Sequence, residues 1–87
     1  MEIKEWIMSW FEKNADLSRE EIEKNLSSNY LSKGWIDSFK FISFISDIEK
    51  KFEISFSNDE FQNRMFATID GLTEIIAKKI TALEANK

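Results

Sequence analysis

The sequence predicts an all-α protein: a small four-helix bundle of three long helices and one short helix, with a long first loop. Three observations carry that reading. Apolar residues recur at helical spacing in three separate stretches, no stretch alternates as a half-buried strand does, and proline is absent. At 87 residues the chain reads as one domain, 1–87, able to bury about 60 to 65% of its unfolded surface. A 43% hydrophobic content with eight Phe and three Trp is enough for one core, and no internal repeat, linker or low-complexity segment interrupts it.

Ile3, Trp6, Ile7, Trp10 and Phe11 fall at i, i+3, i+4, i+7 and i+8, which predicts a first helix over residues 2–14 with one core-facing side. From Asn14 to Asp37 the pattern weakens. Ser18 with Glu21 three residues on forms a capping-box signature, so one or two turns through Ile22 and Leu26 are expected, followed by loop. Leu17, Ile22, Leu26, Tyr30, Leu31 and Ile36 are expected to anchor this stretch on the core. Its acids Glu20, Glu21 and Glu23 read as a solvated face, and the Asn25-Leu26-Ser27 glycosylation sequon reads as chance.

The second long helix starts at Asp37 or Ser38 and runs to about Lys51, with Phe52 closing the pattern. Phe41, Phe44, Ile45, Ile48 and Phe52 span about 100° of a helical wheel, an ordinary core stripe. Ile42 lies about 60° beyond the nearer edge of that stripe and Phe39 about 120° beyond it, both toward Ser38. After an extended Ile54-Ser55-Phe56-Ser57 link, the capping box Ser57-Asn58-Asp59-Glu60 predicts a short helix carrying Phe61, Met65 and Phe66. Thr68 can cap the last helix, whose apolar face is Ile69, Leu72, Ile75, Ile76, Ile80 and Leu83. Lys78 and Lys79 suit its negative end, and the final Glu-Ala-Asn-Lys is expected to fray.

Composition narrows the chemistry. Cysteine and histidine are both absent, which removes Ser-His-Asp and Cys-His catalysis and the usual zinc sites. With no nucleophile-base pair and no calcium-loop spacing around Asn58 to Glu60, the chain is expected not to be an enzyme. A net charge of −4 and an isoelectric point near 4.8 argue against nucleic acid and against anionic membranes. The start lacks the basic and apolar regions of a secretory signal and no run spans a bilayer, so a cytoplasmic location without membrane insertion is expected.

Ser38 is then the residue that needs an explanation. It can be a helix cap, although Asp37 beside it could perform the same task. Alternatively it is a site of covalent modification, because a helix N-terminus favours an attached phosphate group and exposed Phe39 and Ile42 would form a docking patch for enzymes. Gly34-Trp35-Ile36-Asp37-Ser38-Phe39 resembles the attachment motif of the acyl and peptidyl carrier proteins. The resemblance continues through Ile45, Ile48, Glu49 and Phe52 in the second helix and Ile54-Ser55-Phe56 after it. It also takes in Phe66-Ala67-Thr68-Ile69-Asp70-Gly71-Leu72 at the start of the last helix, covering about Leu17 to Ile80. It implies the four-helix carrier bundle, with Ser38 receiving 4′-phosphopantetheine from coenzyme A through a phosphopantetheinyl transferase. It further implies that Asp37 helps organise that reaction, and that cargo is held as a thioester.

The resemblance also implies a partner-facing surface of Phe39, Ile42, Ser43 and Ser46, read by an adenylate-forming ligase or by acyl or condensing enzymes, on a chain expected to be monomeric. The second helix departs from the strongly acidic fatty-acid-synthesis type: between Lys40 and Lys51 only Asp47 and Glu49 are negative, against Lys40, Lys50 and Lys51. Recognition should therefore lean on Phe39 and Ile42 rather than on a single-sign field. Phe41 and Phe44 add aromatic bulk where a long acyl chain would need space, so a short acyl or aminoacyl cargo is expected, as in specialised-metabolite, cell-envelope or dedicated ligase pathways. The competing reading is an unmodified helical adaptor that binds one protein through Phe39 and Ile42.

Overall fold

A computed structural model of the chain describes residues 2–85. Its elements are α1 (Ile3–Asn14), α2 (Arg19–Glu23), α3 (Ser38–Phe52), α4 (Asn58–Phe61), a 3-10 turn (Arg64–Ala67) and α5 (Ile69–Ala85). Among the described residues there is no strand, and no helix is long and apolar enough to cross a membrane. The three long helices fall where the apolar periodicity predicts them.

Two short elements depart from expectation. The Ser18 hydroxyl accepts from the Glu21 N–H at 3.2 Å, so half of that capping box forms, and α2 ends by Glu23. At Ser57 the box is complete: its hydroxyl accepts from the Glu60 N–H, and the Glu60 carboxylate accepts from the Ser57 N–H at 2.8 Å. The single short helix expected to carry Phe61, Met65 and Phe66 is, however, split into α4 and the 3-10 turn. Asn63 causes the break, because its extended backbone and its side-chain oxygen, which accepts from the Met65 N–H at 2.9 Å, start a new turn.

The core is one cluster. Ile3, Ile7, Trp10 and Phe11 of α1 meet Phe44, Ile45, Ile48 and Phe52 of α3 and Ile69, Leu72 and Ile76 of α5. Phe11 sits at its centre, with ring centroids 5.1 Å from Phe44, 5.2 Å from Tyr30 and 5.6 Å from Trp35, distances at which tilted aromatic pairs attract. Of the expected loop anchors, Ile22, Tyr30 and Ile36 are buried and Leu17 and Leu26 pack partly against the core. Leu31 is not an anchor; it is exposed, while Tyr30 beside it takes the interior position.

Other core assignments change. Phe41 is half-buried rather than interior: it packs against the core from its edge, its ring 6.0 to 6.5 Å from those of Tyr30, Phe66 and the exposed Phe61. Ile75 and Ile80 are half-buried, and Leu83 is exposed because the last turns of α5 extend past the packed part of the core. Glu84 and Ala85 are helical rather than frayed; Asn86 and Lys87 lie outside the described residues. Lys79 does more than complement a helix end: its ammonium pairs with Glu60 at 2.8 Å and lies 5.7 Å from the centre of the Phe56 ring.

Candidate functional site

The segment leading to Ser38 is held by backbone bonds as well as by apolar anchors. The Asn29 side-chain oxygen accepts from the N–H groups of Leu31 and Ser32 at 2.9 Å each, forming a local turn. The Gly34 N–H donates to the Leu31 carbonyl, and Gly34 itself has φ +73°, in the region that favours glycine. Tyr30 ties this turn to the far side of the molecule. Its hydroxyl donates to the Phe66 carbonyl at 2.7 Å, and its N–H donates to the Ala67 carbonyl at 3.1 Å. Burial pushes the Tyr30 phenol well above its ordinary value, so it stays neutral and keeps its proton for that bond. Ile36, one residue before Asp37, is buried. The chain therefore enters α3 from a fixed direction.

Asp37 is the N-cap of α3. Its backbone is extended (φ −94°, ψ −176°), and its carboxylate accepts from the Lys40 N–H at 2.8 Å while its carbonyl accepts from the Phe41 N–H at 2.9 Å. A negative cap also complements the positive end of the helix dipole. Ser38 is consequently the first helical residue, not the cap. It is exposed, and its hydroxyl has no hydrogen-bond partner among the described residues. The polar pair that looks redundant in sequence divides its labour: Asp37 closes the helix end and Ser38 is left unengaged.

Phe39 is 83% exposed and Ile42 66% exposed, as their places outside the core stripe predict. Ser43 is exposed and Ser46 half-buried on the same outer surface. The expected site residues thus run from the start of α3, at Asp37 and Ser38, along its outer side to Ser46 in its middle.

Two troughs flank them. One of about 360 Å³ runs between α1 and α3 and is lined by Trp10, Asn14, Asp37, Phe39, Lys40, Ser43 and Asp47. The other, of about 220 Å³, is lined by Phe41, Ile42, Ile45, Ser46, Glu49 and Phe61. A larger depression, about 610 Å³ around Glu53, Ile54 and Leu83, does not include the first turns of α3. The first trough was not legible in the sequence. Trp10 reads there only as packing, yet its indole N–H donates to the Asp47 carboxylate at 2.9 Å, joining the two helices across 37 residues.

No family model matches the chain, and the searches of curated proteins and of solved structures likewise return no match.

Proposed function

We propose that this chain is a carrier protein that bears 4′-phosphopantetheine on Ser38 and presents a short acyl or aminoacyl cargo to partner enzymes. The observation that carries the proposal is the division of roles at the start of α3: with Asp37 serving as cap, the neighbouring hydroxyl is exposed and unpartnered. That arrangement fits the attached group, which needs an oxygen free to react, room for an enzyme and a helix end tolerant of a phosphodiester.

In the loading reaction the Ser38 oxygen forms a bond to the phosphorus of coenzyme A that carries the pantetheine. The phosphoanhydride bond breaks, adenosine bisphosphate leaves, and the serine proton passes to a base of the transferase. When attached, the arm supplies a thiol, which a chain without cysteine lacks. The remaining work of this chain is presentation: Asp37 fixes the helix start, and Phe39 and Ile42 offer apolar surface beside the tether for partners to bury. The fully buried rings of Phe11, Tyr30 and Phe44 support a cargo short enough to need no internal cavity.

Incubation with coenzyme A and a broad-specificity phosphopantetheinyl transferase should raise the intact mass of the wild type and leave Ser38→Ala unchanged. The second reading, an unmodified adaptor, draws on the same exposed Phe39 and Ile42. It predicts a wild type that gains no mass and a partner complex that Ser38→Ala leaves intact.

A further inference from the structure

We propose that the buried Tyr30 hydroxyl is a positioning group for the loading of Ser38: its bond to the Phe66 carbonyl holds the turn that delivers Asp37 to its capping place. The inference rests on the carrier reading and adds to it a residue that touches neither coenzyme A nor the reacting oxygen.

The hydroxyl is the unexpected part of this side chain. Tyr30 is fully buried in a core whose other members are Ile, Leu, Met, Phe and Trp. Phenylalanine would fill nearly the same space with no oxygen to desolvate, and a buried hydroxyl is tolerated only when it is hydrogen-bonded. This one donates to Phe66 across 36 residues at 2.7 Å, the usual length of a well-formed O–H···O bond. Apolar packing keeps a segment close to the core, whereas a satisfied polar contact inside the core also fixes its orientation.

What the bond fixes leads into the site. The Tyr30 N–H donates to the Ala67 carbonyl and the Tyr30 carbonyl accepts from the Trp35 N–H, both at 3.1 Å. Tyr30 thus ties both the start and the end of the turn to the 3-10 turn on the far side of the bundle. Among the described residues, its hydroxyl makes the one side-chain hydrogen bond from residues 29–36 to another element, since the Asn29 bonds stay inside the turn. After Trp35, only Ile36 stands before the Asp37 cap.

A helix start is the part most open to fraying, because its leading N–H groups have no intrahelical partner. In α3 it is held by the Asp37 carboxylate on the Lys40 N–H and by the direction from which the chain enters. Without the Tyr30 bond the turn can shift, the cap loosens and Ser38 spreads over several positions. Phosphoryl transfer requires the attacking oxygen in line with the leaving group, so this spread slows the bound complex. Docking is affected less, because Phe39 and Ile42 remain on α3 beyond the cap.

Tyr30→Phe keeps the ring and removes the bond. Ile76→Val, at a buried position in α5, is the control for a comparable loss of stability. Both are assayed at a temperature where circular dichroism shows them folded. Single-turnover loading of the full chain with coenzyme A and excess transferase, followed by intact mass, gives the saturated rate and the half-saturating transferase concentration. Tyr30→Phe should lower the saturated rate about two- to tenfold, the span that one net hydrogen bond allows, and leave half-saturation unchanged, while Ile76→Val should match the wild type. In the unloaded chains, Lys40 amide protection should fall relative to that of Ile48 in Tyr30→Phe and not in Ile76→Val. A Tyr30→Phe chain that loads at the wild-type rate, is slowed no more than Ile76→Val, or is altered only in half-saturation overturns the inference and leaves the carrier reading intact. A wild type that gains no mass overturns both.

Discussion

Asp37 and Ser38 are both good helix caps by residue type, and only the backbone decides between them. The extended conformation belongs to Asp37, whose carboxylate takes the Lys40 N–H. Removing that cap by Asp37→Ala should cost about 1 kcal/mol, while Ser38→Ala, which breaks no hydrogen bond, should cost less than about 0.5 kcal/mol. Urea unfolding of the two variants checks the order; a larger loss for Ser38→Ala would return the capping role to the serine. Gly71 is a second residue whose importance is local. A β-carbon there would collide with the Met65 backbone carbonyl, so Gly71→Ala should destabilise by about 1 to 3 kcal/mol despite alanine's better helix propensity. The pairing of acid, hydroxyl and exposed aromatic was legible in the sequence. The division of roles was not, because it depends on ψ at one residue, and the constraint on Gly71 comes from a turn six positions earlier.

At the scale of elements, α4 contributes no buried residue and is held instead by Glu60 and by Phe61 packing on Phe66, their ring centroids 5.0 Å apart. Partial desolvation pushes the Glu60 carboxyl up, but bonds from Lys79, the Ser57 N–H and the Ser57 hydroxyl outweigh it and hold the group below the usual carboxylate range. A depressed value means the folded form gains stability above the unfolded value, about 4.3 for glutamate, and loses it as pH falls through the lower folded value. Protection factors of the Asn58 to Phe61 amides, corrected for the intrinsic exchange rate at each pH, should therefore fall in acid before those of α3, and Glu60→Gln should flatten the dependence. A uniform fall in protection across the chain would contradict the role given to Glu60. The three long helices were readable because apolar periodicity over 12 to 17 residues overrides local ambiguity. The segment after Ser57 was not, because a side-chain bond from Asn63 stops one turn and starts another within a run that reads as continuous.

For the whole molecule, stability and function separate along α3. Its inner side carries the core, so Phe44→Ala or Phe52→Ala should cost about 3 to 5 kcal/mol in urea unfolding. Its outer side carries Phe39 and Ile42, whose exposure makes Phe39→Ala nearly neutral to folding while weakening any partner that buries the ring. Loss of stability in Phe39→Ala comparable to that in Phe44→Ala would mean the outer face is not free. The wheel placed both faces correctly in outline. Its error at Phe41 is a whole-molecule effect: the wheel registers direction, but not that the neighbouring Phe61 of α4 is itself exposed and leaves the Phe41 ring half-covered. The measurement that bears most directly on function is a tandem mass spectrum of the chain after incubation with coenzyme A and a transferase. A single phosphopantetheine should be located on the peptide containing Ser38. A chain recovered at its original mass, or one modified on a different serine, would contradict it.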